Sequence, residues 1–201
     1  MSETAPSLYD SFALYCSGVT LVSVRDDADH RFFVAGSVLT ASVEPFAVAV
    51  SVAGHRDALP AITAGKPWTV SILATRHLPL VRRLTARTTP AERLMALQAA
   101  GVDLPSEGPI WVPDALVTLW CTTLSTTPVH DQILLVGQVQ HGTTHQAGAP
   151  LVRWNREFGT VIDLPIDGRD PRRNGTGDQH APEQLIGDVL EETGTISVGR
   201  S

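Results

Sequence analysis

The chain has 201 residues, 43% of them hydrophobic and 18% charged, and a formal net charge of −6. That apolar content suits one substantial folded core, and the length requires no second one. No basic stripe is present to neutralise a phosphate backbone, so nucleic-acid binding is not expected.

The N-terminal run "MSETAPSLYD" lacks the basic and apolar regions of a secretion signal, and no apolar stretch approaches the roughly 20 residues that span a bilayer. A soluble, cytoplasmic protein is expected. "SLYDSFALYCSG" predicts a helix in which Ser7 caps, Asp10 sits three residues on, and Leu8, Phe12 and Tyr15 share a face before Gly18 ends it. "GVTLVSV", "RFFVAGSVL", "PFAVAVSV", "WTVSIL", "ALVTLWC" and "QILLVGQVQ" predict strands, with "LVRW" and "FGTVIDL" as two short additions. Between Ile72 and Leu116 the pattern turns helical: "RHLPLVRRL" is one helix, and "TPAERLMALQAAG" is another. In the latter, Thr89 and Glu92 form a capping box, Pro90 takes the first position and Gly101 closes the end. Strands interrupted at one place by helices suggest a mainly β fold, a small barrel with a helical flap, rather than an alternating βαβ repeat.

Beyond Leu164 the composition changes. From Asp163 to Ser201 eight carboxylates (Asp163, Asp167, Asp170, Asp178, Glu183, Asp188, Glu191 and Glu192) stand against four arginines, −4 of the total −6. "PIDGRDPRRNGTGDQHAP" has little to bury, so residues 1–164 are expected to form the domain and 165–201 a flexible acidic tail, with "PEQLIGDVLEE" a marginal helix within it.

The two cysteines, Cys16 and Cys121, sit in apolar runs and are expected to be buried free thiols. No nucleophile elbow, P-loop or dinucleotide glycine fingerprint occurs. His141 and His145 are four apart, but "HGTTHQAGAP" is expected to be a solvated hairpin loop, so no metal site is expected.

Several stretches, in order, resemble the flavin reductase-like family of FMN-binding split barrels. They are "CSGVTLVSV", "SVLTASVEPFAVAVSV" with its Ser-x-Glu-Pro corner, "AITAGKPWTVSIL", "LVTLWC" followed by "HDQILLVGQV", and "APLVRW" with "FGTV". The resemblance implies an FMN-binding split β-barrel that forms a homodimer. It also implies an NAD(P)H:flavin oxidoreductase that takes FMN, with FAD as an alternative, uses NADH or NADPH as co-substrate, and supplies reduced flavin to a monooxygenase partner. Two alternatives stay open: a flavin- or haem-binding protein without turnover, and an FMN oxidoreductase for another small substrate.

By the same resemblance Ser37, Val38, Leu39 and Thr40 line the flavin ring and ribityl chain, where short donors and close backbone approach are needed. Ser42 belongs to the same set; Thr40 and Ser42 also read as ordinary exposed strand hydroxyls. Ser51, His55 and Arg56 would hold the phosphate, Arg56 by charge and the helix start after it by free N–H groups. "GHRD" reads equally as a polar loop in which Asp57 caps a helix. Trp154 is a candidate for stacking on the flavin, beside Arg153 and Arg156. Where many members read Gly-Asp-His, this chain has His130-Asp131-Gln132, so Gln132 takes the usual histidine position, and His130 is expected on the same strand face as a substitute.

Overall fold

The computed structural model describes residues 7–145 and 148–161. The expected acidic tail, its helix and the domain boundary after residue 164 lie outside the described residues. The strands are β1 (Ser17–Gly18), β2 (Thr20–Asp26), β3 (Asp29–Ala35), β4 (Val38–Ser42), β5 (Ala47–Ala53), β6 (Trp68–Ile72), β7 (Val117–Val129), β8 (Gln132–Thr144), β9 (Leu151–Trp154) and β10 (Glu157–Thr160). The helices are α1 (Leu8–Ser11), α2 (Leu59–Thr63), α3 (Leu78–Thr85) and α4 (Pro90–Ala99).

Seven strands form one antiparallel sheet in the order β3-β2-β6-β7-β8-β5-β4. Its two edge strands, β3 and β4, are separated in sequence only by Gly36 and Ser37. A flat sheet of seven strands would hold its edges roughly 29 Å apart, at about 4.8 Å per step. The connection from Ala35 to Val38 reaches about 10 Å at full extension. The sheet must therefore curl until its edges approach, and because β3 and β4 do not pair, the barrel stays split there. The sequence reading ran "RFFVAGSVL" through as one strand; the break at Gly36 is the seam. A Cβ on Gly36 would lie 3.0 Å from Ser17 Oγ, so β1 passes close behind this seam.

Alternation fills the barrel. Val48, Val50 and Val52 of β5 point inward with Val22, Val24, Trp68, Val70, Leu119, Cys121 and Leu135. A second core lies outside the sheet, where Leu21, Phe32 and Leu73 meet Leu80, Val81 and Leu84 of α3 and Leu97 of α4. Residues 109–115 cross the same outer face. There the buried hydroxyls of Ser23 and Thr69 converge on the Ile110 carbonyl at 2.5 and 2.6 Å, and Val112 N donates to Ser71 Oγ at 3.2 Å. Each buried hydroxyl thereby finds a partner. The β1-β9-β10 sheet is separate, with Ser17 paired to Arg153.

The capping box of α4 forms as expected: Glu92 N donates to Thr89 Oγ1 at 3.3 Å and Thr89 N donates to Glu92 Oε2 at 2.8 Å, with Gly101 at φ 76° past the end. Ser7 caps α1 through Asp10 N at 3.1 Å, but that helix is four residues long, followed by a 3-10 turn at Phe12–Leu14. Leu8, Phe12 and Tyr15 are exposed instead of buried against a core. Cys16, at the end of this segment, is exposed, contrary to expectation; Cys121 is buried. The apolar neighbours of Cys16 had suggested burial, yet those neighbours themselves face solvent.

The β7–β8 hairpin is longer than its apolar cores "ALVTLWC" and "QILLVGQVQ" suggest, because threonine-rich flanks such as residues 122–127 are good strand formers. The expected loop "HGTT" is strand up to Thr144: His141 pairs with Trp120 across the ladder and stacks on it at 4.5 Å, while His145 stacks on Trp111 at 5.3 Å. Among the described residues no group of three metal-ligating side chains gathers, and no helix is long and apolar enough to cross a membrane.

Candidate functional site

Four of the predicted site residues meet on one face of β4, β5 and β8. The β5 sequence alternates valine with small residues, so while its valines fill the barrel, Ala47, Ala49, Ser51 and Ala53 face outward. Cross-strand partners share a face. Ser42, Ala47 and Gln138 thus form one row, Leu39, Ala49 and Val136 the next, then Ser51 with Leu134, then Ala53 with Gln132. The small side chains form a low row, with Ala47 and Ala49 buried and Ser51 and Ala53 half-buried, between Leu39 and Leu134, 60% and 37% exposed, so that this face is a shallow groove. The strand expected for "PFAVAVSV" forms and is mostly buried, and its Ala/Val alternation separates the barrel-filling face from the face of small side chains.

Leu39, Ser42, Ser51 and Gln132 therefore share one face. Val38 and Thr40 pair with Val50 and Val48 and so lie on the opposite face, where Val38 packs against the barrel core while Thr40 stays exposed. A bulge between Thr40 and Ser42 restores Ser42 to the groove side. Ser37 lies at the seam, where its carbonyl accepts from Ser51 N at 3.0 Å.

The end of β5 leads straight to His55 and Arg56, both exposed. Here the local structure differs from the expected helix start. Asp57 does not cap α2, whose N-cap is Ala58 without a side-chain bond; Asp57 instead faces Arg31 at 3.6 Å. Arg56 N donates to Ala53 O and Leu59 N to Arg56 O, so these donors are spent within the turn. What remains is the Arg56 side chain, whose guanidinium lies 5.8 Å from the Phe33 ring centroid. It lines a cavity of about 220 Å³ that also contains Arg93 of α4, a residue the sequence reading did not single out.

The β7–β8 turn abuts this loop, with Gly54 N donating to Asp131 O at 2.9 Å. Gln132 opens β8 and donates through Nε2 to Asp131 Oδ2 at 2.9 Å. His130 is not on the strand face expected for it: it sits in the turn at φ 54°, a conformation that breaks the two-residue alternation with Gln132. Trp154 also stands apart from the groove, on β9 of the small sheet and 55% exposed, while Arg153 stacks on Phe158 at 5.4 Å and Arg156 pairs with Asp10.

Comparison with known proteins agrees with this architecture. The family model described as flavin reductase like domain matches residues 12–161. The NADH:riboflavin 5'-phosphate oxidoreductase of Streptomyces pristinaespiralis is 33% identical over 156 residues, covering 77% of this chain and 86% of the relative. The reductase component of 4-hydroxyphenylacetate 3-monooxygenase from Thermus thermophilus is 28% identical over 153 residues, 76% of this chain and 94% of the relative. Among solved structures, BorF, the flavin reductase component of a bacterial two-component tryptophan halogenase, superposes with a TM-score of 0.68 at 20% identity, covering 78% of this chain and 98% of that one. The split barrel, the groove on its outer face and the match along residues 12–161 lead to one conclusion: this chain belongs to the flavin reductase-like domain family.

Proposed function

We propose that the protein is an NAD(P)H-dependent flavin reductase that binds its flavin in the groove on β4, β5 and β8. The observation that carries this reading is the floor of Ala47, Ala49, Ser51 and Ala53 between Leu39 and Leu134, which leads into the Arg56 turn. A flat heterocycle needs such a floor, since any larger side chain on it would lift the ring away. The chemistry of the lining fits as well: Ser42 and Ser51 offer hydroxyls that both donate and accept, matching the polar edge of an isoalloxazine, and Arg56 offers a cation for the phosphate.

The bound flavin supplies the ring that takes up the two electrons of the nicotinamide's hydride. The chain's contribution is placement. Leu39 and Leu134 would shield the ring edges from water, the β5 backbone would set its depth, and Arg56 would hold the ribityl chain by its phosphate end. Gln132, at the groove's end, would offer its amide oxygen to the nicotinamide carboxamide, its Nε2 being engaged with Asp131. NADH is the nucleotide named for the Streptomyces relative, and it is the one we assign to this chain.

The reduced flavin passes to a monooxygenase partner, as the name of the Thermus relative indicates for that protein. The working unit is a homodimer, because Leu39, Val43, Phe46 and Leu124 leave the β4–β5 side and the adjoining hairpin with exposed apolar surface that a second copy covers. The test is steady-state oxidation of NADH and NADPH in the presence of riboflavin, FMN or FAD. Flavin-dependent oxidation of NADH is the expected result; no flavin-dependent oxidation of either nucleotide would overturn the proposal.

A further inference from the structure

The connection from α4 to β7 is fastened to the β2–β3 end of the sheet at two points. Ile110 O accepts from the hydroxyls of Ser23 and Thr69, and Pro105 O accepts from Arg25 Nη1 at 2.9 Å. Between these anchors Ser106, Glu107 and Gly108 are exposed. The same Arg25 nitrogen donates to His30 Nε2 at 3.0 Å, on the paired position of β3. A guanidinium has no acceptor and keeps its protons, so this contact exists only while His30 Nε2 carries a lone pair. The neutral ring then holds its proton on Nδ1, which is buried and has no partner among the described residues.

The surroundings favour that neutral form. Burial disfavours the charged ring most, and Arg25 on β2 adds to it. Asp29 on β3 and the Pro105 carbonyl act in the opposite sense, but the balance lies below the ordinary histidine value. Asp29 is itself engaged by Arg31 at 2.7 Å. A second proton on the ring would set N–H against N–H and charge against charge across the 3.0 Å contact, so Arg25 would have to leave. An open cleft of about 420 Å³ gives it room, with Arg25 in its wall and the charged side chains of Asp27, Lys66 and Glu107 around it. Lys66 is committed to Asp26 and Asp27, at 3.1 and 2.7 Å.

We propose that Arg25 and His30 form a proton-operated latch on the α4–β7 connection: the neutral ring keeps Arg25 on Pro105, and protonation of His30 frees residues 103–109 from the sheet while Ile110 stays anchored. Because the fold favours the neutral ring, the latch contributes stability above the unfolded-state histidine value, and that contribution is lost as pH falls through the lowered one. The two hydrogen bonds of one nitrogen are made and lost together, which couples the charge on β3 to the position of the connection.

The experiment follows nicking after Glu107 by a glutamyl endopeptidase at about pH 8 and about pH 5, since cleavage there requires the connection to open locally. Each rate is divided by that for a synthetic peptide of residues 102–112, and Glu157 in β10 serves as the control for loosening of the whole fold. The relative rate at Glu107 in the wild type is expected to rise at least about fivefold on acidification, with no rise at Glu157. His30→Gln, whose amide oxygen accepts from Arg25 and does not titrate, is expected to stay protected at both pH values. Arg25→Met is expected to be nicked fast at both. A wild-type rate that does not change with pH, an equal rise in His30→Gln, or a rise shared by Glu157 overturns the latch. Slow nicking of Arg25→Met at about pH 8 overturns it as well, so the decision does not hang on a single variant.

Discussion

Gly137 is glycine because Trp68 occupies the space a side chain would need: a Cβ there would fall 2.1 Å from Trp68 Cζ2. Gly137→Ala must therefore displace a fully buried indole, and we expect a loss of about 1–3 kcal/mol from overpacking, read by urea denaturation. Stability within experimental error of the wild type would show that the ring moves freely. The cysteines give a second prediction at this scale. Burial pushes the Cys121 thiol up to about 12, while Cys16 is exposed. A thiol reagent at about pH 8 should label Cys16 alone in the native protein and both cysteines after denaturation. At the level of residues the sequence was a partial guide. The family pattern singled out Leu39, Ser42, Ser51 and Arg56, which fall on β4, β5 and the turn that follows, but the bulge that puts Ser42 on the face opposite Thr40 depends on register, which no local motif records.

Among the elements, the helical insertion was legible because its ends carry their own chemistry. Thr89, Pro90, Glu92 and Gly101 specify α4 locally. Thr89→Ala removes one cap and should cost about 0.5–2 kcal/mol, measured by chemical denaturation. Nothing local marks the His77–Asp114 contact, which ties the start of α3 to the segment crossing the sheet. His77 Nδ1 accepts from Ala74 N at 3.0 Å, so its Nε2 carries the proton and donates to Asp114 Oδ1 at 2.8 Å. Burial alone would raise the Asp114 carboxyl, but the hydrogen bond from His77, the backbone hydrogen bond and the nearby charges, Arg76 among them, together outweigh it and hold the group below its ordinary value. A depressed carboxylate stabilises the fold above the unfolded-state value, and that contribution is lost as pH falls through the lowered one. The stability gap between wild type and Asp114→Asn should therefore be largest near neutral pH and close on acidification. A gap independent of pH in thermal unfolding scans would remove the hydrogen bond to the Asp114 carboxylate from the account. The β7–β8 hairpin and the N-terminal segment show why element lengths were harder to read. Threonine runs look like loop yet extend strands, and the apolar face of Leu8, Phe12 and Tyr15 looks like core yet is exposed.

For the whole molecule, the ordered family resemblance revealed the split barrel more clearly than strand prediction did, since closure depends on which strands become edges and only the two-residue seam at Gly36 and Ser37 hints at it. The exposed apolar surface leads to a prediction about assembly: sedimentation at micromolar concentration should give a dimer, and Leu124→Glu should shift it towards monomer, whereas a monomeric wild type with full flavin binding would contradict the assigned interface. The central claim, that the groove over β5 holds the flavin, depends on the smallness of its floor. Ala49 sits in the middle of that floor between Leu39 and Val136. The most direct measurement is FMN titration of Ala49→Leu, followed by the change in flavin fluorescence, with thermal unfolding as the control for folding. The account predicts binding weakened at least about tenfold in a protein that still unfolds cooperatively; because Ala49 is only 4% exposed, the added side chain also lowers the melting temperature somewhat. Unchanged FMN affinity in a folded Ala49→Leu protein would contradict it and place the flavin elsewhere.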